Sequence, residues 1–393
     1  MKSAPARYSA WAALGLACAA APAFAQGRLL GEASATAAPS LLSWRFDQPL
    51  TQDSLVVRKA WQWSFPVSGS VRLGRVTIDA GAAAAVGRVG LEDGRTLELS
   101  GLTDLRIRGV ARVVGDRLLV TTGVNAPVGA TGLTGHEIDA LGVLGAPALG
   151  FDTPTLGNGF GVTGGAVYAW QTAGWGLALG SSFESRAQYT PLEVQIAGAP
   201  APADLRSGNA YRFSLGADRL IGRGRLSLLF AGEVFSESRL SLATGEGDQE
   251  TRYTLGPQFS GLLVLQMGVR GFRSFTITLA DRYRTKFTGF AGEKAAGSSG
   301  NVLEGALELT TGGTRGAGLY LRAEGLFDSG LEVDNTITTA AMTRGSLTAG
   351  AAILSGRLSI LPFIKAQVGH LDTGPEAATA TGIGAGVSLT VRP

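Results

Sequence analysis

The chain has few of the residues on which many active sites depend. Its 393 residues include one cysteine, Cys18, and two histidines, His136 and His370. So few cannot form a metal cluster of Cys, His and carboxylates at ligand spacing. The only local pair that could support acid–base chemistry is His136 beside Glu137. Both histidines fall in expected loops, so we interpret His136 as a solvated loop residue. We expect no enzyme activity, no metal and no cofactor.

Long hydrophobic runs and strong charge are also missing. Hydrophobic residues make up 45% of the chain, yet no run approaches the roughly 20 consecutive apolar residues of a membrane helix. Charged residues make up only 17%, and the formal net charge is +3. Lys2 and Arg7 supply two of these charges. Because a concentrated basic patch is absent, we expect no nucleic-acid partner.

Residues 1–25 have the features of a secretory signal. A basic start is followed by a short apolar segment, and residues 23–25 (Ala-Phe-Ala) fit the small-x-small cleavage pattern. One alternative is a membrane helix, for which the segment is too short. Another is a lipoprotein signal that uses Cys18, whose preceding residues fit a lipobox poorly. We predict cleavage near Ala25, which would leave the mature chain without cysteine.

The chain does have a strict alternation of apolar and polar residues. At its C-terminal end Ile383, Ala385, Val387, Leu389 and Val391 alternate with Gly, Ser, Thr and Arg. Side chains of a β-strand point to opposite faces, so one face of this segment is apolar throughout and the other is small or polar. Transmembrane barrels show this pattern, with the apolar face toward lipid. The 58 glycines fit many strands joined by tight turns.

The same alternation recurs in strand pairs that are joined by short, glycine-rich turns. One pair carries Trp170 and Trp175 beside its turn, and Phe160 and Phe183 at its far ends. That spacing fits two aromatic girdles, one at each membrane surface. Short periplasmic turns and long outer loops are typical of outer-membrane barrels. The long connections here are 126–159, 185–209, 236–252, 288–301, 327–345 and 369–381.

We therefore predict an all-β fold, a transmembrane antiparallel up-and-down β-barrel of about 14 strands, within a range of roughly 12–16. It would occupy residues 54–393, after an irregular N-terminal lead-in at residues 26–53. A soluble sandwich is the alternative, but loops in sandwiches rarely alternate so regularly in length. We expect a monomer in outer-membrane lipid, inserted by the barrel-assembly machinery of a Gram-negative-type bacterium.

A short helix is predicted in the first long loop. Thr134 and Glu137 have the spacing of a capping box, and Ile138, Leu141 and Leu144 follow at helical spacing. So short an apolar helix needs a surface to pack on, and the barrel mouth is the nearest one. We take Ile138, Leu141 and Leu144 as candidate mouth or gating residues. The helix either dips into the lumen or lies on the rim.

Charged residues of both signs occur on the strand faces that are predicted to point inward. Two interpretations stay open. The charges neutralise one another in a filled lumen, or they line a polar pathway with local selectivity. The candidate lumen charges are Arg106, Arg108, Glu184, Arg212, Glu304, Arg322 and Glu324.

Three short segments occur in a fixed order, at residues 100–104 (Ser-Gly-Leu-Thr-Asp), 127–129 (Pro-Val-Gly) and 156–159 (Leu-Gly-Asn-Gly). This set resembles the outer-membrane barrels of the MetA-pathway-of-phenol-degradation family, which is itself similar to fatty-acid-transporter (FadL-like) barrels. The match covers about residues 97–170. Two departures from the family pattern are Val128 in place of Thr and Pro393 in place of a terminal aromatic residue.

The resemblance, together with the apolar loop helix, implies passive transport of small hydrophobic or aromatic molecules. The alternative is a structural or surface-interaction barrel with a filled lumen and no transport, which the mixed inward charges and many small residues favour. The shared motifs are structural in character, so the resemblance implies no substrate-binding residue.

Overall fold

A computed structural model describes most of the chain. The described ranges are 33–52, 55–114, 117–146, 149–153, 156–196, 199–244, 247–268, 274–286, 300–312, 316–333, 336–339, 341–372 and 377–392. The expected signal at residues 1–25 and its cleavage near Ala25 lie outside these ranges. Within them, no helix is long and apolar enough to cross a membrane.

The described secondary structure is almost entirely β. The first half of the chain contains β1 (Ala33–Ala37), β2 (Ser40–Gln52), β3 (Leu55–Leu73), β4 (Val76–Leu91), β5 (Thr96–Leu102), β6 (Leu105–Arg112), β7 (Leu118–Ala126), β8 (Leu133–Thr134), α1 (Gly135–Leu144), β9 (Gly161–Thr172), β10 (Trp175–Arg186), β11 (Tyr189–Ile196) and β12 (Ala199–Arg206). The second half contains β13 (Ala210–Ile221), β14 (Gly224–Phe235), β15 (Ser238–Thr244), β16 (Gly247–Tyr253), β17 (Gln258–Met267), β18 (Ser274–Arg284), β19 (Gly300–Thr310), β20 (Gly316–Asp328), β21 (Leu331–Val333), β22 (Thr336–Thr339), β23 (Ala341–Ser355), β24 (Leu358–Asp372) and β25 (Ala377–Val391).

One antiparallel sheet closes on itself to form a barrel. It contains 18 of the described strands. β1 and β2 both lie between β25 and β3, so they are two halves of one barrel strand. β5 and β6 both pair with β4 and are likewise two halves of one strand. Counting each interrupted strand once gives a closed barrel of about sixteen strands, a size common among outer-membrane barrels. The all-β barrel is confirmed; fourteen was too few, although sixteen is the upper end of the predicted range.

The difference from the predicted count lies mainly at the N-terminus. The prediction of an irregular lead-in does not hold for residues 33–52, which form β1 and β2 and close the barrel against β25. Residues 55–65, which the fourteen-strand count leaves over, belong to β3, and β3 pairs with β2. The alternation of β2 was hard to assign to a barrel wall because Leu42, Trp44 and Phe46 are buried on its inner face, so the usual pattern with apolar side chains outward is largely reversed there.

Most of the barrel wall has an apolar outer face. Large side chains are exposed at alternate positions, as with Phe213 and Leu215 of β13 and Leu303 and Leu307 of β19. Ile383 of β25 is also exposed, as its alternation predicts. A transmembrane barrel presents such a band to lipid, and closure leaves no unpaired edge in hydrocarbon.

Aromatic residues mark both ends of the outer face. Near the long loops, the rings of Phe183 and Tyr211 lie 5.2 Å apart. Near the short turns, the rings of Tyr168 and Trp170 lie 5.9 Å apart. Trp175 beside the same turn is covered by the guanidinium of a neighbouring arginine at 5.3 Å. These positions agree with the two predicted girdles.

The long loops also form structure outside the barrel. β16, β15, β12, β11 and β8 pair in that order as a second sheet. All its pairings are antiparallel except that between β11 and β8. β21 and β22 form a separate hairpin. The barrel mouth therefore lies at the long-loop end, below this second sheet.

Candidate functional site at the barrel mouth

The first long loop folds into the barrel mouth. Its described residues within 127–160 are called the mouth plug. The predicted helix is present as α1, and the backbone N–H of Thr134 donates to Glu137 Oε2 at 3.1 Å, as a capping box requires. At the other end the N–H of Gly145 donates to the carbonyl of Leu141 at 2.7 Å. The chain therefore enters the mouth as a regular helix with satisfied ends.

α1 packs on the inner faces of β4 and β5. Val143 and Leu144 are almost completely buried, and they share one apolar cluster with Val89 and Leu99. Gly87 lies directly beneath Leu144, whose side chain occupies the space that a Cβ at position 87 would need. A glycine on the inner face of β4 thus allows the close approach of the helix.

The three candidate mouth residues are brought together on this surface. Leu144 is buried, and Ile138 and Leu141 are partly buried against the same cluster. Of the two predicted placements, the helix takes the one inside the mouth. These residues attach the plug to the wall, and their role in gating stays a prediction.

The second part of the plug is tied to β2 and β3 by hydrogen bonds. Trp44 Nε1 donates to the carbonyl of Leu149 at 2.8 Å. Gln62 Nε2 donates to the carbonyl of Thr153 at 2.8 Å, and Gln62 Oε1 accepts from the N–H of Thr153 at 3.0 Å. All these groups are buried, so the plug backbone has the partners that burial demands.

The sequence did not identify Trp44 and Gln62 as parts of the site. The alternation of residue types around each of them is the signal that could have identified them. Leu42, Trp44 and Phe46 alternate with polar residues within residues 26–53, and Gln62 and Ser64 alternate with aromatic residues. What the sequence could not show is that a loop covers the inner face at these positions.

In the part of the chain that the structure describes, the plug covers one side of the mouth. Its apolar cluster takes in Met342 of β23, Leu371 of β24 and Ala380 of β25, and continues through β2 to β5. Arg344 of β23 reaches the plug at Gly150, where a Cβ would overlap its guanidinium. Among the residues that the structure describes, the strands from β9 to β20 contribute nothing to this cluster.

Those other strands carry most of the candidate lumen charges. Arg212 pairs with Glu233 at 3.0 Å, and Glu304 pairs with Arg282 at 2.9 Å. Glu184 pairs with Arg186 on its own strand at 2.7 Å. The side chain of Arg282 remains 60% exposed. The charges neutralise one another, and the Arg212 and Arg282 side chains are each more than half exposed.

A second group of charges lies deeper, on β19, β20 and β24. Arg322 contacts Glu324 at 2.7 Å and Glu308 at 3.4 Å. Glu324 also accepts from Lys365 Nζ at 2.8 Å and from Ser346 Oγ at 2.9 Å. This network crosses four neighbouring strands, from β19 through β20 and β23 to β24, and combines both signs, so it gives the lumen no strong net charge at this level.

The remaining two candidates lie on β6. Arg108 pairs with Asp79 of β4 at 3.1 Å and is 45% exposed. Arg106 is exposed, and in the described ranges no carboxylate forms an ion pair with it. The structure thus places all seven candidate charges on inward faces but distributes them around the wall rather than joining them in one site.

The two histidines lie apart. His136 is an exposed residue in the first turn of α1. The prediction that His370 lies in a loop is wrong, because β24 continues through it to Asp372. Within the described part of the chain, no group of three or more His, Cys, Asp or Glu side chains could hold a metal ion.

Above the barrel, Tyr189 of β11 packs on Gly159 at the end of the plug. Burial raises the pKa of the Tyr189 hydroxyl above its ordinary value of 10.0. The phenol therefore stays neutral at physiological pH and acts as a packing group between the plug and the second sheet.

Comparisons with known proteins give structural likeness only. No family model matches the chain, so the resemblance to the MetA-pathway family is not confirmed, and no curated protein matches it either. The chain is similar to the solved "TodX monoaromatic hydrocarbon channel deltaS2 mutant", with 8% identity over 92% of this chain and 91% of that chain and a TM-score of 0.46. It is similar to the "CymD monoaromatic hydrocarbon channel", with 12% identity, 92% and 89% coverage and a TM-score of 0.39. It is also similar to the outer membrane protein opdK from Pseudomonas aeruginosa, with 11% identity, 91% and 99% coverage and a TM-score of 0.40. At these values the likenesses carry no argument about activity, and the fold rests on the strand pairing described above.

Proposed function

We propose that the chain is an outer-membrane channel for the passive passage of small hydrophobic or aromatic molecules, and that it is not an enzyme. The observation that carries this proposal is the two-sided mouth. A fixed apolar plug covers the part of the wall that is formed by β23 to β25 and, across the closure of the barrel, by β2 to β5. Water-accessible charges line the part of the wall from β9 to β20. An apolar solute can leave water at the plug while the passage beside it stays hydrated.

The outer face supports the membrane location. Large apolar side chains face outward from the barrel strands, with aromatic residues near both ends. Closure of the barrel pairs strand backbone groups with one another within the sheet, as a lipid environment requires. We propose that it acts as a monomer in the outer membrane of a Gram-negative-type bacterium and that barrel-assembly machinery inserts it.

The charges favour passage without selection for one sign. Arg212, Arg282 and Arg322 each have a carboxylate partner, so the lumen offers no strong single-sign field to attract or repel an ion. Discrimination between solutes would then come from their apolar contact with the plug, which contributes roughly 25 cal/mol per Å² of apolar surface buried. The partly exposed Ile138 and Leu141 supply such contact at the plug surface. A small solute would bind weakly enough to leave again, as conduction requires.

A second function has its own support. Trp44 and Gln62 tie the plug to the wall through buried hydrogen bonds, and a plug held so firmly also suits a barrel that transports nothing. In that case the barrel would be structural, or would act through its outer loops and the second sheet.

Flux through the purified protein in liposomes separates the two functions. We expect a neutral aromatic solute to cross faster than a sugar of the same size, and Leu141→Glu to reduce the aromatic flux. Asp139→Asn is the matched control, because Asp139 is exposed on the same helix. Flux no greater than that of protein-free vesicles, for every solute, would support the non-transporting barrel instead.

A further inference from the structure

A buried carboxylate lies where the plug joins the barrel wall. Asp104 is at the break between β5 and β6 and is only 2% exposed. Its Oδ1 accepts from the N–H of Gly129 at 2.9 Å. Its Oδ2 accepts from Asn125 Nδ2 at 2.8 Å and from the N–H of Asn158 at 2.5 Å. These four residues are called the clasp.

The clasp joins both ends of the plug. Gly129 follows the last residues of β7, and Asn158 precedes β9, so one carboxylate holds the chain where it enters the mouth and where it leaves. Asn125 adds a bond from Nδ2 to the carbonyl of Gly159 at 2.6 Å. The N–H of Gly157 donates to the carbonyl of Ala130 at 2.9 Å, which joins the two ends directly.

A plug residue next to the clasp also bonds to the barrel wall. β6 pairs with both β4 and β7, but β5 pairs with β4 alone among the described barrel strands, because β7 ends at Ala126. The upper edge of β5 would otherwise expose unpaired backbone groups, which is costly where they are buried. Instead the N–H of Ala130 donates to the carbonyl of Leu102 at 3.0 Å.

Three glycines make this arrangement possible. A Cβ at Gly129 would lie 2.6 Å from Gly157 Cα, and one at Gly157 would lie 2.6 Å from Thr131 Cγ2. A Cβ at Gly101 would lie 2.7 Å from Ala130 Cβ. Each of these distances is shorter than the contacts that real Cβ atoms make, so a side chain at any of the three positions would force its neighbours apart. The three ordered sequence segments thus meet at one point, and their residues have a common physical purpose.

We infer that Asp104 is a positioning residue that keeps the plug on one side of the mouth and thereby sets the size limit for solutes. The statement about size rests on the proposed channel function, whereas the statement about the plug does not. An ionised carboxylate can accept all three bonds, and charge-assisted bonds are the strong ones. An amide at the same position has only one acceptor oxygen, so at least one donor of the clasp would lose its partner.

Chemical labelling tests the positioning role without transport. Val143 is 1% exposed in the plug, and the sole cysteine of the chain, Cys18, lies in the expected signal. We expect a cysteine introduced by Val143→Cys to react with a water-soluble maleimide about tenfold faster when Asp104→Asn is also present, because opening of the plug governs its access. Asp93→Asn is the matched control, since Asp93 is an exposed carboxylate in a turn outside the clasp.

Heat-modifiable gel mobility checks that each variant remains a folded barrel. If Asp104→Asn does not fold, Asn125→Ser removes two donor bonds of the clasp while keeping the carboxylate, and it should raise the labelling rate by a smaller factor. An unchanged labelling rate in a folded clasp variant would overturn the inference.

Solute size provides the second readout. The flux of a trisaccharide divided by that of a monosaccharide should be higher in Asp104→Asn vesicles than in vesicles with the unmodified protein. The same flux ratio should be unchanged in Asp93→Asn vesicles. Faster labelling with an unchanged ratio would overturn the size-limiting role. Faster labelling in a barrel that passes no solute at all, before or after substitution, would overturn the proposed function and the size limit while supporting the clasp as the anchor of the plug.

Discussion

The two sides of the barrel mouth follow the same strand geometry but have opposite inner surfaces. On the plug side, inward residues such as Trp44, Val89 and Leu99 are apolar and buried. On the other side, which comprises the strands from β9 to β20 and is called the open side because the plug leaves it uncovered, inward residues such as Arg212 and Arg282 are charged and exposed. The strands pair antiparallel on both sides, so what each inner face contacts, rather than the strand itself, explains its composition.

This difference limits what alternation alone can predict. On the open side the apolar face points outward and the polar face points into the lumen. On β2 Trp44 points to the plug, and Arg45 lies on the opposite, outward face together with Leu41. A strand can therefore be assigned from its period of two, whereas its orientation requires knowing what fills the lumen.

The largest expected contrast is between two tryptophans. Trp44→Ala removes a fully buried ring and its hydrogen bond to Leu149, and should lower the free energy of unfolding by about 3–5 kcal/mol. Trp63→Ala should cost clearly less, because Trp63 is 39% exposed on the outer face. Urea unfolding in detergent micelles gives both values. Equal losses would remove the distinction between the plug side and the outer surface.

A pair of glycines gives a smaller contrast. Gly87→Ala places a methyl group against Leu144 and should cost about 1–3 kcal/mol of unfolding free energy through overpacking. Gly261→Ala on β17 has open space around its Cβ and should be neutral or slightly stabilising. The same unfolding measurement applies. A neutral Gly87→Ala would show that the helix does not pack closely on β4.

The ion pairs of the open side should contribute least. Arg282→Gln breaks the pair with Glu304, and because both side chains are well exposed, the free energy of unfolding should change by less than about 1 kcal/mol. The change should also shrink as salt is added, since exposed charges are screened. A loss much larger than this would mean that the charges are packed in a filled lumen, as the alternative interpretation requires.

Much of the fold follows from local patterns. The hairpins, the exposed apolar face of β25 and the helix from Gly135 to Leu144 all depend on residues close together in sequence, and all are present. Closure by β1 and β2 could not be predicted in this way, because the pairing joins Ala35 to Val391 across nearly the whole chain. The reversed faces of β2 made its alternation harder to assign to a barrel wall.

The candidate site was predictable only in part, for the same reason. The helix and its capping box depend on neighbouring residues, but its position depends on Gly87 and on Trp44, which are distant in sequence. The ordered motifs at residues 100–104, 127–129 and 156–159 were visible as a resemblance. Their convergence on Asp104 depends on three-dimensional contacts that spacing does not give.

The most direct test of the two-sided mouth compares cysteine accessibility on its two sides. Cysteines introduced singly by Val143→Cys and Arg282→Cys would be labelled with the same water-soluble maleimide in intact vesicles, with heat-modifiable mobility as the check on folding. The account predicts rapid reaction at position 282 and reaction at position 143 slower by about a hundredfold, because a buried site reacts only when the plug opens locally. Similar rates at the two positions would contradict it.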